Sequence, residues 1–450
     1  MALWPHLGLE RVKSKQRENR RPIRVKTGGG PVHAKTGPAP AAGGGAPSLK
    51  NGGGTPIIKS YAAFNGPAAR RRPSSQRGGM PVAQPATSAI CAARRRRMAA
   101  AYIGTKERKK RMDRVRFALI GCGVIADFHA TAIERIPEAM LTGVYNRNRA
   151  GAERFVQNRP VRIFDTLEAL LASEDVDAVC ICTPSGLHTA QAVQAMRAGK
   201  HVVVEKPMSL SLADADLLIH TAEETGVKVC VISQFRFSPA VQEIRRAMEA
   251  GAFGRIVSGS LQMKYYRSHE YYASGGWRGT WALDGGGCLM NQGIHGVDMF
   301  RYLMGPVKSV SAIVKTQTRR VEVEDSAVAA IEFASGAVGT LEGSTSCYPG
   351  YPRRLEICGD AGSVVLEEDA ILRWDLPIPC SLPVGAGAKN VASSDPKAID
   401  VSGHVRQIGN LVDAVLHGAP LMAPAATGRP PLELILAIYT SARTGRTVTF

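Results

Sequence analysis

A strand that runs into a glycine-rich turn is the feature of this sequence that most restricts its fold. Residues 115–120 are almost all apolar, and Gly121-Cys-Gly123-Val-Ile-Ala126 and a helical segment follow them. In this strand–turn–helix motif the first glycine permits a tight turn, the second lets the backbone approach a pyrophosphate, and the small third residue allows close helix packing. The helix N-terminus then favours a bound phosphate. The spacing therefore predicts an α/β domain that binds a dinucleotide.

The end of the second predicted strand bears on which dinucleotide is bound. Asn146 and Arg147 follow this strand, which spans residues 141–145. NAD-specific sites tend to carry an acid here for the ribose hydroxyls. Asn146 can still hydrogen-bond a ribose hydroxyl, and Arg147 can pair with a 2′-phosphate, although a merely solvated arginine is the alternative. The pair favours NADP over NAD as the cofactor.

Strands and helices alternate through residues 113–232, which we interpret as one domain. Alternation at this spacing requires parallel strands joined by crossover helices, and so predicts a doubly wound Rossmann sheet. The predicted strands cover 115–120, 141–145, 178–182, 201–204 and 228–234, and the clearest helices cover 189–198 and 212–225.

The tripeptide Glu205-Lys206-Pro207 is the centre of the predicted site. It follows three valines that read as a buried strand, and the proline ends that strand. Open α/β sheets bind ligands at the carboxyl ends of their strands, where Thr183-Pro184 and His188 are also expected. A surface Glu-Lys pair is the plainer alternative. The candidate cofactor-binding residues on this rim are Gly121, Gly123, Val124, Ile125, Ala126, Asn146, Arg147, Thr183, Pro184, His188, Glu205 and Lys206.

Residues 233–450 predict a second, α+β domain. Strand patterns dominate after residue 255, and 334–336 and 359–362 carry the small and turn-forming residues of hairpins. We expect an open, mainly antiparallel sheet that offers a platform for a substrate and for a subunit interface.

A second chemical stretch lies inside this domain. Trp277-Arg278 precede a run of three glycines, and a helix is predicted from Cys288 to Met304. On that helix Asn291, His295 and Asp298 are spaced by four and three residues, which places them on one face. A lone helix histidine is usually structural, but this polar stripe beside a glycine run favours a site role for His295.

Taken together, these motifs resemble the glucose-fructose oxidoreductase/inositol 2-dehydrogenase (Gfo/Idh/MocA) family over about residues 113–450. The stretch 275–287 also resembles the branch that contains UDP-N-acetylglucosaminuronate 3-dehydrogenases. The resemblance implies an NAD(P)-dependent dehydrogenase that oxidises a ring hydroxyl of a sugar, cyclitol or nucleotide sugar. It also implies a homodimer or homotetramer joined through the open sheet.

Carried over by position, Lys206 is the catalytic lysine and His295 its proton-transfer partner. Inositol dehydrogenases typically have Asp where this chain has Asn291, which can orient a substrate but cannot hold a proton. We therefore count Asn291 with the catalytic residues and favour the sugar or nucleotide-sugar branch. The expected substrate contacts are Tyr265, Trp277, Arg278, Asn291 and His295. No metal is expected.

The first 112 residues differ in composition from the rest of the chain. They hold 24 of the 57 Lys and Arg residues but only 3 of the 38 Asp and Glu residues, so the net charge of +19 belongs to this segment. Few apolar residues recur at a useful period, which predicts a disordered basic extension. It could bind nucleic acid or anionic surfaces, act as a transit peptide, or precede a natural start near Met112. We favour the last interpretation, and we do not expect a nucleic-acid partner.

The cysteines and the apolar stretches of the sequence bear on the compartment of the protein. Nine cysteines without paired spacing, and no apolar stretch of membrane-spanning length, favour a cytoplasmic protein with no membrane partner. Three rivals to a dehydrogenase are considered. They are an NAD-dependent glycosidase of the same family, a cofactor-binding protein without turnover, and a nucleic-acid-associated protein that works through the basic extension.

Overall fold

The structure, a computed structural model, describes residues 113–386 and 400–450. The predicted disordered extension, residues 1–112, lies outside the described residues, so this prediction stays untested. Within the described ranges, no helix has both the length and the apolar character needed to cross a bilayer.

The first sheet has six strands in the order β3-β2-β1-β4-β5-β6, and all of them are parallel. Its central strands are apolar on both faces because helices cover both, which confirms the predicted doubly wound sheet. The strands are β1 Val115–Ile120, β2 Ala139–Tyr145, β3 Arg162–Ile163, β4 Ala178–Ile181, β5 His201–Val204 and β6 Val229–Val231. The helices are α1 Val124–Glu134, α2 Arg149–Val156, α3 Leu167–Ala172, α4 His188–Arg197 and α5 Leu212–Thr225.

The register of this sheet aligns the strand ends. Ile120 on β1 pairs with Ile181 on β4, which in turn pairs with Val204 on β5. The next residues of these strands, Gly121 and Glu205 among them, therefore lie along one rim, as the sequence predicts.

The second sheet has eight strands in the order β13-β12-β11-β7-β10-β9-β8-β14. Only β7 and β10 pair in parallel, which confirms the predicted mainly antiparallel sheet. The strands are β7 Ile256–Lys264, β8 Val307–Lys315, β9 Ser326–Phe333, β10 Val338–Ser344, β11 Arg354–Gly359, β12 Ser363–Glu367, β13 Ala370–Asp375 and β14 Val448–Thr449. The helices are α6 Pro239–Glu249, α7 His269–Ala273, α8 Ile294–Met304, α9 Ser402–Leu416 and α10 Arg429–Thr444. Helices α8 and α10 pack against the sheet.

Helix α9 belongs to the C-terminal part of the sequence but packs on the first sheet's helix α1. Ile408 and Leu411 share a buried cluster with Ala126 and Ala130. The division at residue 233 is therefore not a clean one in space, because the chain returns to the nucleotide-binding half after the second sheet is complete.

The helix predicted over 288–304 is interrupted. Residues Cys288–Gly293 form a π-helical turn, and α8 begins only at Ile294. A π turn adds a residue to the turn and is often found at functional sites. Asn291 lies in the π turn and His295 in the α-helix, so the simple three-and-four spacing does not describe their relation.

Candidate active site

The glycine turn leaves open space in front of a helix N-terminus. Gly121 has a φ of +97°, and a Cβ on it would lie 2.8 Å from the carbonyl oxygen of Cys182. A Cβ on Gly123 would meet nothing within 4 Å, and no side chain caps α1. The uncapped amides of α1 and this open space fit the pyrophosphate of a dinucleotide.

Around this turn, Ala126 is buried, Ile125 is half-buried and Val124 is half exposed. The buried alanine allows α1 to pack closely on the sheet, as the motif predicts. Val124 and Ile125 therefore offer backbone amides and apolar side chains at the mouth of the turn.

Asn146 lies against the glycine turn. Its Oδ1 accepts a hydrogen bond from Cys122 N (3.2 Å), and its Nδ2 donates to Asn148 O (2.7 Å). Arg147, the next residue, is exposed. The polar atoms of Asn146 thus already have protein partners, and Arg147 is the more available of the two for a ribose or its phosphate.

His188 connects two loops of the rim. Its Nδ1 lies 2.8 Å from Pro207 O and its Nε2 lies 2.9 Å from Thr183 O. Burial lowers the pKa of His188, so the ring is neutral and donates to one carbonyl at a time. The ring therefore holds the Thr183-Pro184 loop beside the Lys206-Pro207 loop, and its direct contact with a cofactor stays a prediction.

Glu205 is buried between two histidines that sequence reasoning missed. Its Oε1 accepts a hydrogen bond from His129 Nε2 (2.8 Å), and His404 Nε2 lies 3.8 Å from the same oxygen. Burial by itself raises the pKa of Glu205, but His129, His404 and the charge of Lys206 together hold it well below its usual range. His129 is on α1 and His404 is on α9, so an ionised carboxylate joins both helices to the rim.

Lys206 points the other way, toward the second domain. Its Nζ donates to the backbone carbonyl of Asn291 (2.9 Å). Burial lowers the pKa of Lys206, while the charges of Glu205 and Asp284 oppose that change. The lysine is thus anchored on the π turn with a reduced preference for its charged form.

His295 and Lys206 line one small cavity between the two sheets' domains, together with Met208, Ile294 and Asp298. Gln234 Nε2 lies 3.4 Å from His295 Nε2, and the ring of Phe235 lies 5.3 Å from the imidazole. Burial, and then the positive charge of Lys206, hold the pKa of His295 well below its usual value. A neutral imidazole at this position can accept a proton.

Asn291 and Asp298 use their side chains within the protein. The Asn291 amide donates to Asp284, and its Oδ1 accepts a hydrogen bond from Gln292 Nε2 (2.8 Å). Asp298 forms a buried ion pair with Arg236, with Nε 2.8 Å from Oδ2. Of the predicted stripe, the structure therefore leaves His295 available and gives the other two structural partners.

The expected substrate contacts differ in exposure. Tyr265 is 8% exposed and belongs to the hydrophobic core, which disfavours a direct contact. Trp277 and Arg278 are half-buried, and the Arg278 guanidinium lies 4.6 Å from the centre of the Tyr271 ring. Tyr271 and Arg267 also belong to this region but were not predicted from the sequence; Arg267 Nε donates to Gln292 Oε1.

Comparisons with known families agree with this arrangement. Residues 115–233 match the oxidoreductase family with an NAD-binding Rossmann fold, and residues 241–365 match the GFO/IDH/MocA C-terminal domain. The chain belongs to the Gfo/Idh/MocA family of oxidoreductases, and it is an NAD-binding dehydrogenase.

Individual relatives give the scale of the similarity. The chain is 30% identical over 260 residues to scyllo-inositol 2-dehydrogenase (NAD⁺) of Bacillus subtilis, a match that covers 56% of this chain and 73% of that protein. It is 32% identical to the WlbA dehydrogenase of Bordetella pertussis in complex with NADH and UDP-GlcNAcA, with a TM-score of 0.68 over 75% of this chain and 98% of that one. The WlbA dehydrogenase of Chromobacterium violaceum, in the same kind of complex, is 34% identical with a TM-score of 0.68 over 75% and 96% of the two chains.

Proposed function

We propose that the protein oxidises a ring hydroxyl of a nucleotide sugar with NAD(P), and that Lys206 and His295 handle the hydroxyl proton. The observation that carries this proposal is that Lys206 and His295 line one cavity, with Lys206 on the same rim as the glycine turn. The identity of 32–34% to two dehydrogenases solved with UDP-GlcNAcA, over nearly their whole length, supports a nucleotide-sugar substrate.

The cofactor would be held by the glycine turn and the N-terminus of α1, with Arg147 at the ribose end. When bound, oxidised nicotinamide supplies the acceptor for the hydride that leaves the carbinol carbon. NAD and NADP would bind the glycine turn in the same way. Only a contact between the exposed Arg147 and the 2′-phosphate of NADP would therefore favour NADP over NAD. We propose NAD as the general assignment and NADP as the variant to be tested.

The proton follows a path through this chain's own side chains. As the carbinol becomes a ketone, the hydroxyl O–H bond breaks and a group within hydrogen-bond reach must accept the proton. His295 is neutral and half-buried, so its ring can take that proton. Lys206 lines the same cavity and would stabilise the developing charge on oxygen. In this scheme His295 accepts the proton and Lys206 stabilises the charge that develops on the oxygen.

The substrate's acidic part would face the arginine and aromatic side chains beside α7. Arg278 lies 4.6 Å from the ring centre of Tyr271 and 5.4 Å from that of Trp277. Its Nη1 donates to Ser274 Oγ (2.6 Å). A guanidinium held in this way suits a carboxylate or a phosphate, and the rings suit a sugar or a base.

We also propose that the open face of the second sheet joins two copies of the chain. Ile313 on β8 and Val328 on β9 are direct cross-strand partners, and both side chains are more than half exposed. Val338 on β10 is similarly exposed on the same sheet. Exposed apolar side chains of this size on a sheet face are typical of a subunit interface.

The test is a panel of UDP-sugars, free sugars and cyclitols with NAD and with NADP, followed by the absorbance of the reduced cofactor. We expect reduction with a UDP-linked uronate and little with myo-inositol. Release of a leaving group without net cofactor reduction would instead support the glycosidase. Tight cofactor binding with no turnover of any substrate would support a binding protein.

A further inference from the structure

Four polar side chains form a continuous hydrogen-bonded chain beside Lys206. Asp284 accepts from the Asn291 amide, and Asn291 Oδ1 accepts from Gln292 Nε2 at 2.8 Å. Gln292 Oε1 accepts from Arg267 Nε at 3.0 Å. The chain thus runs from a carboxylate to a guanidinium through two amides.

The two ends of this chain fix the direction of both amides. An ionised carboxylate only accepts hydrogen bonds, and a guanidinium only donates them. Rotating Asn291 by half a turn would place its oxygen against the carboxylate and its NH₂ against the NH₂ of Gln292. Rotating Gln292 would place its NH₂ against Arg267. Neither amide can turn over alone, so the carboxylate dictates how Asn291 is held.

Asp284 is buried, at 1% exposure, and its second oxygen accepts a hydrogen bond from Gly279 N (2.8 Å). Both oxygens are therefore used for positioning inside the protein. Asn291 is also the residue whose backbone carbonyl receives the Lys206 Nζ. The carboxylate and the lysine consequently meet the same residue of the π turn, one through its side chain and one through its backbone.

We propose that Asp284 is a positioning residue for the dehydrogenase reaction. Through the amide of Asn291 it holds the π turn so that the Asn291 carbonyl keeps Lys206 Nζ directed at the cavity. On this side of the cavity the carboxylate is at residue 284. As long as that carboxylate is present, residue 291 must be a neutral amide. The role of Asp284 in the reaction rests on the proposed function, whereas the direction of the hydrogen bonds does not depend on it.

An exchange of the side chains at positions 284 and 291 tests the role of Asp284 most sharply. Asp284→Asn alone leaves an NH₂ group facing either Gly279 N or the Asn291 amide, so one donor has no acceptor. Asn291→Asp alone brings two carboxylates into contact, which disfavours ionisation of both. The double variant Asp284→Asn/Asn291→Asp restores every pairing. The new carboxylate at position 291 accepts from Gln292 and from the new amide at position 284, while the oxygen of that amide accepts from Gly279 N.

We expect each single variant to lose about tenfold or more in kcat with UDP-GlcNAcA and NAD, with a smaller change in KM, since an unpaired buried donor costs about one such factor. The double variant should recover to within about threefold of the natural enzyme, because pairing is complete again. Asp375→Asn, at an exposed edge-strand carboxylate, is the matched control and should be unchanged.

A second readout needs no substrate. Trace labelling of lysines with acetic anhydride, followed by peptide mass spectrometry, reports how available the Lys206 amine is in the full chain. Asp284→Asn should raise labelling of Lys206 several-fold, because the amine loses both its fixed acceptor and a nearby negative charge, and the double variant should lower it again.

The charged side chains that act on the Lys206 amine are Glu205, Asp284 and Arg267, and His295 and His188 lie near it. The double variant keeps one carboxylate near the amine, at position 291 instead of 284. Natural labelling and turnover in Asp284→Asn, or a folded double variant that behaves like the worse single variant, would overturn the proposal. Loss of the proposed function has a different signature: Lys206 labelling follows this pattern while no substrate is turned over.

Discussion

At the scale of single residues, the site is built from groups whose charges are set by their surroundings. Burial lowers the pKa of both Lys206 and His295, and the lysine's charge lowers that of the histidine further. Glu205 behaves oppositely, because two histidines and Lys206 favour its ionised form despite burial. The rim thus holds a stable negative charge behind the lysine and a neutral base in front of it.

The first prediction concerns the proton-handling pair. Lys206→Ala and His295→Ala should each lower turnover by about 100-fold or more, the scale of a lost general acid or base. Steady-state kinetics with the best substrate of the panel measures the loss, and fluorescence titration should show that His295→Ala still binds the cofactor. His220→Ala, an exposed helix histidine, is the control. Turnover near the natural rate in both variants would refute the assignment.

The acid limb of the pH–rate profile offers a second prediction. A base must be deprotonated to accept the hydroxyl proton, and the pKa of His295 is held well below its ordinary value of about 6.5. The oxidation rate should therefore stay level as the pH falls through that value and decline only further down. A profile that falls by half near that ordinary value, with cofactor still bound, would argue against His295 as the base.

Glu205 gives a prediction about stability. Its pKa is lower in the folded chain than in the unfolded chain, so its contribution is present above the ordinary carboxyl range and is lost as the pH falls through the folded value. Glu205→Gln should reduce the free energy of unfolding near neutral pH by about 1.5–3 kcal/mol, the value of a hydrogen bond to a charged group. Denaturant titrations of the two proteins should converge as the pH falls. A constant difference down to acidic pH would contradict this account.

At the scale of elements, a second buried carboxylate, Glu324, holds the start of the π turn. Glu324 accepts hydrogen bonds from Gly287 N and Leu289 N, both at 2.9 Å, and from the Tyr439 hydroxyl at 2.8 Å. The backbone of residue 287 runs directly over residue 324, which explains why this position is glycine. The turn is therefore fixed at its start by Glu324 and at Asn291 by Asp284.

A pair of glycine substitutions tests this packing. A Cβ on Gly287 would lie 1.8 Å from Glu324 O, so Gly287→Ala must displace the π turn and with it the carbonyl that holds Lys206. We expect a loss of about 2 kcal/mol or more in unfolding free energy and a large loss of activity, typical of an overpacked core. Gly409→Ala, on α9 with open space around its Cβ, should instead stabilise the chain by about 0.5–1 kcal/mol. Equal thermal shifts for the two variants would exclude the proposed packing role.

At the scale of the whole molecule, the open sheet predicts self-association. Replacing Val328 by Asp on β9 places a charge beside its exposed cross-strand partner Ile313 on the open face, and should convert a dimer or tetramer into smaller species. Size-exclusion chromatography with light scattering measures the mass. Leu217→Asp, at an exposed leucine on α5, is the matched control and should leave the mass unchanged. A monomeric natural chain would refute the proposed interface.

The nucleotide-binding half was predictable because its signals are local. The predicted strand over 115–120 and helix over 212–225 coincide with β1 and α5, since apolar patterning, caps and glycines lie within each segment. The two-residue strands β3 and β14, the six-residue strand β13 and the π turn were not predicted. Two-residue strands and an inserted turn residue leave little periodicity to read, and their pairing depends on distant neighbours.

The class of the protein could be recognised from local sequence, because the glycine turn, Glu205-Lys206-Pro207 and the helix of His295 are contiguous motifs whose chemistry follows from residue type and order. How these motifs work together depends on contacts that form only in the folded chain. Lys206 meets Asn291 across 85 positions, Glu205 meets His129 across 76, and α9 returns to α1 from the far end of the chain. Such partners are chosen by burial and hydrogen-bond satisfaction in the folded core, so no local pattern announces them.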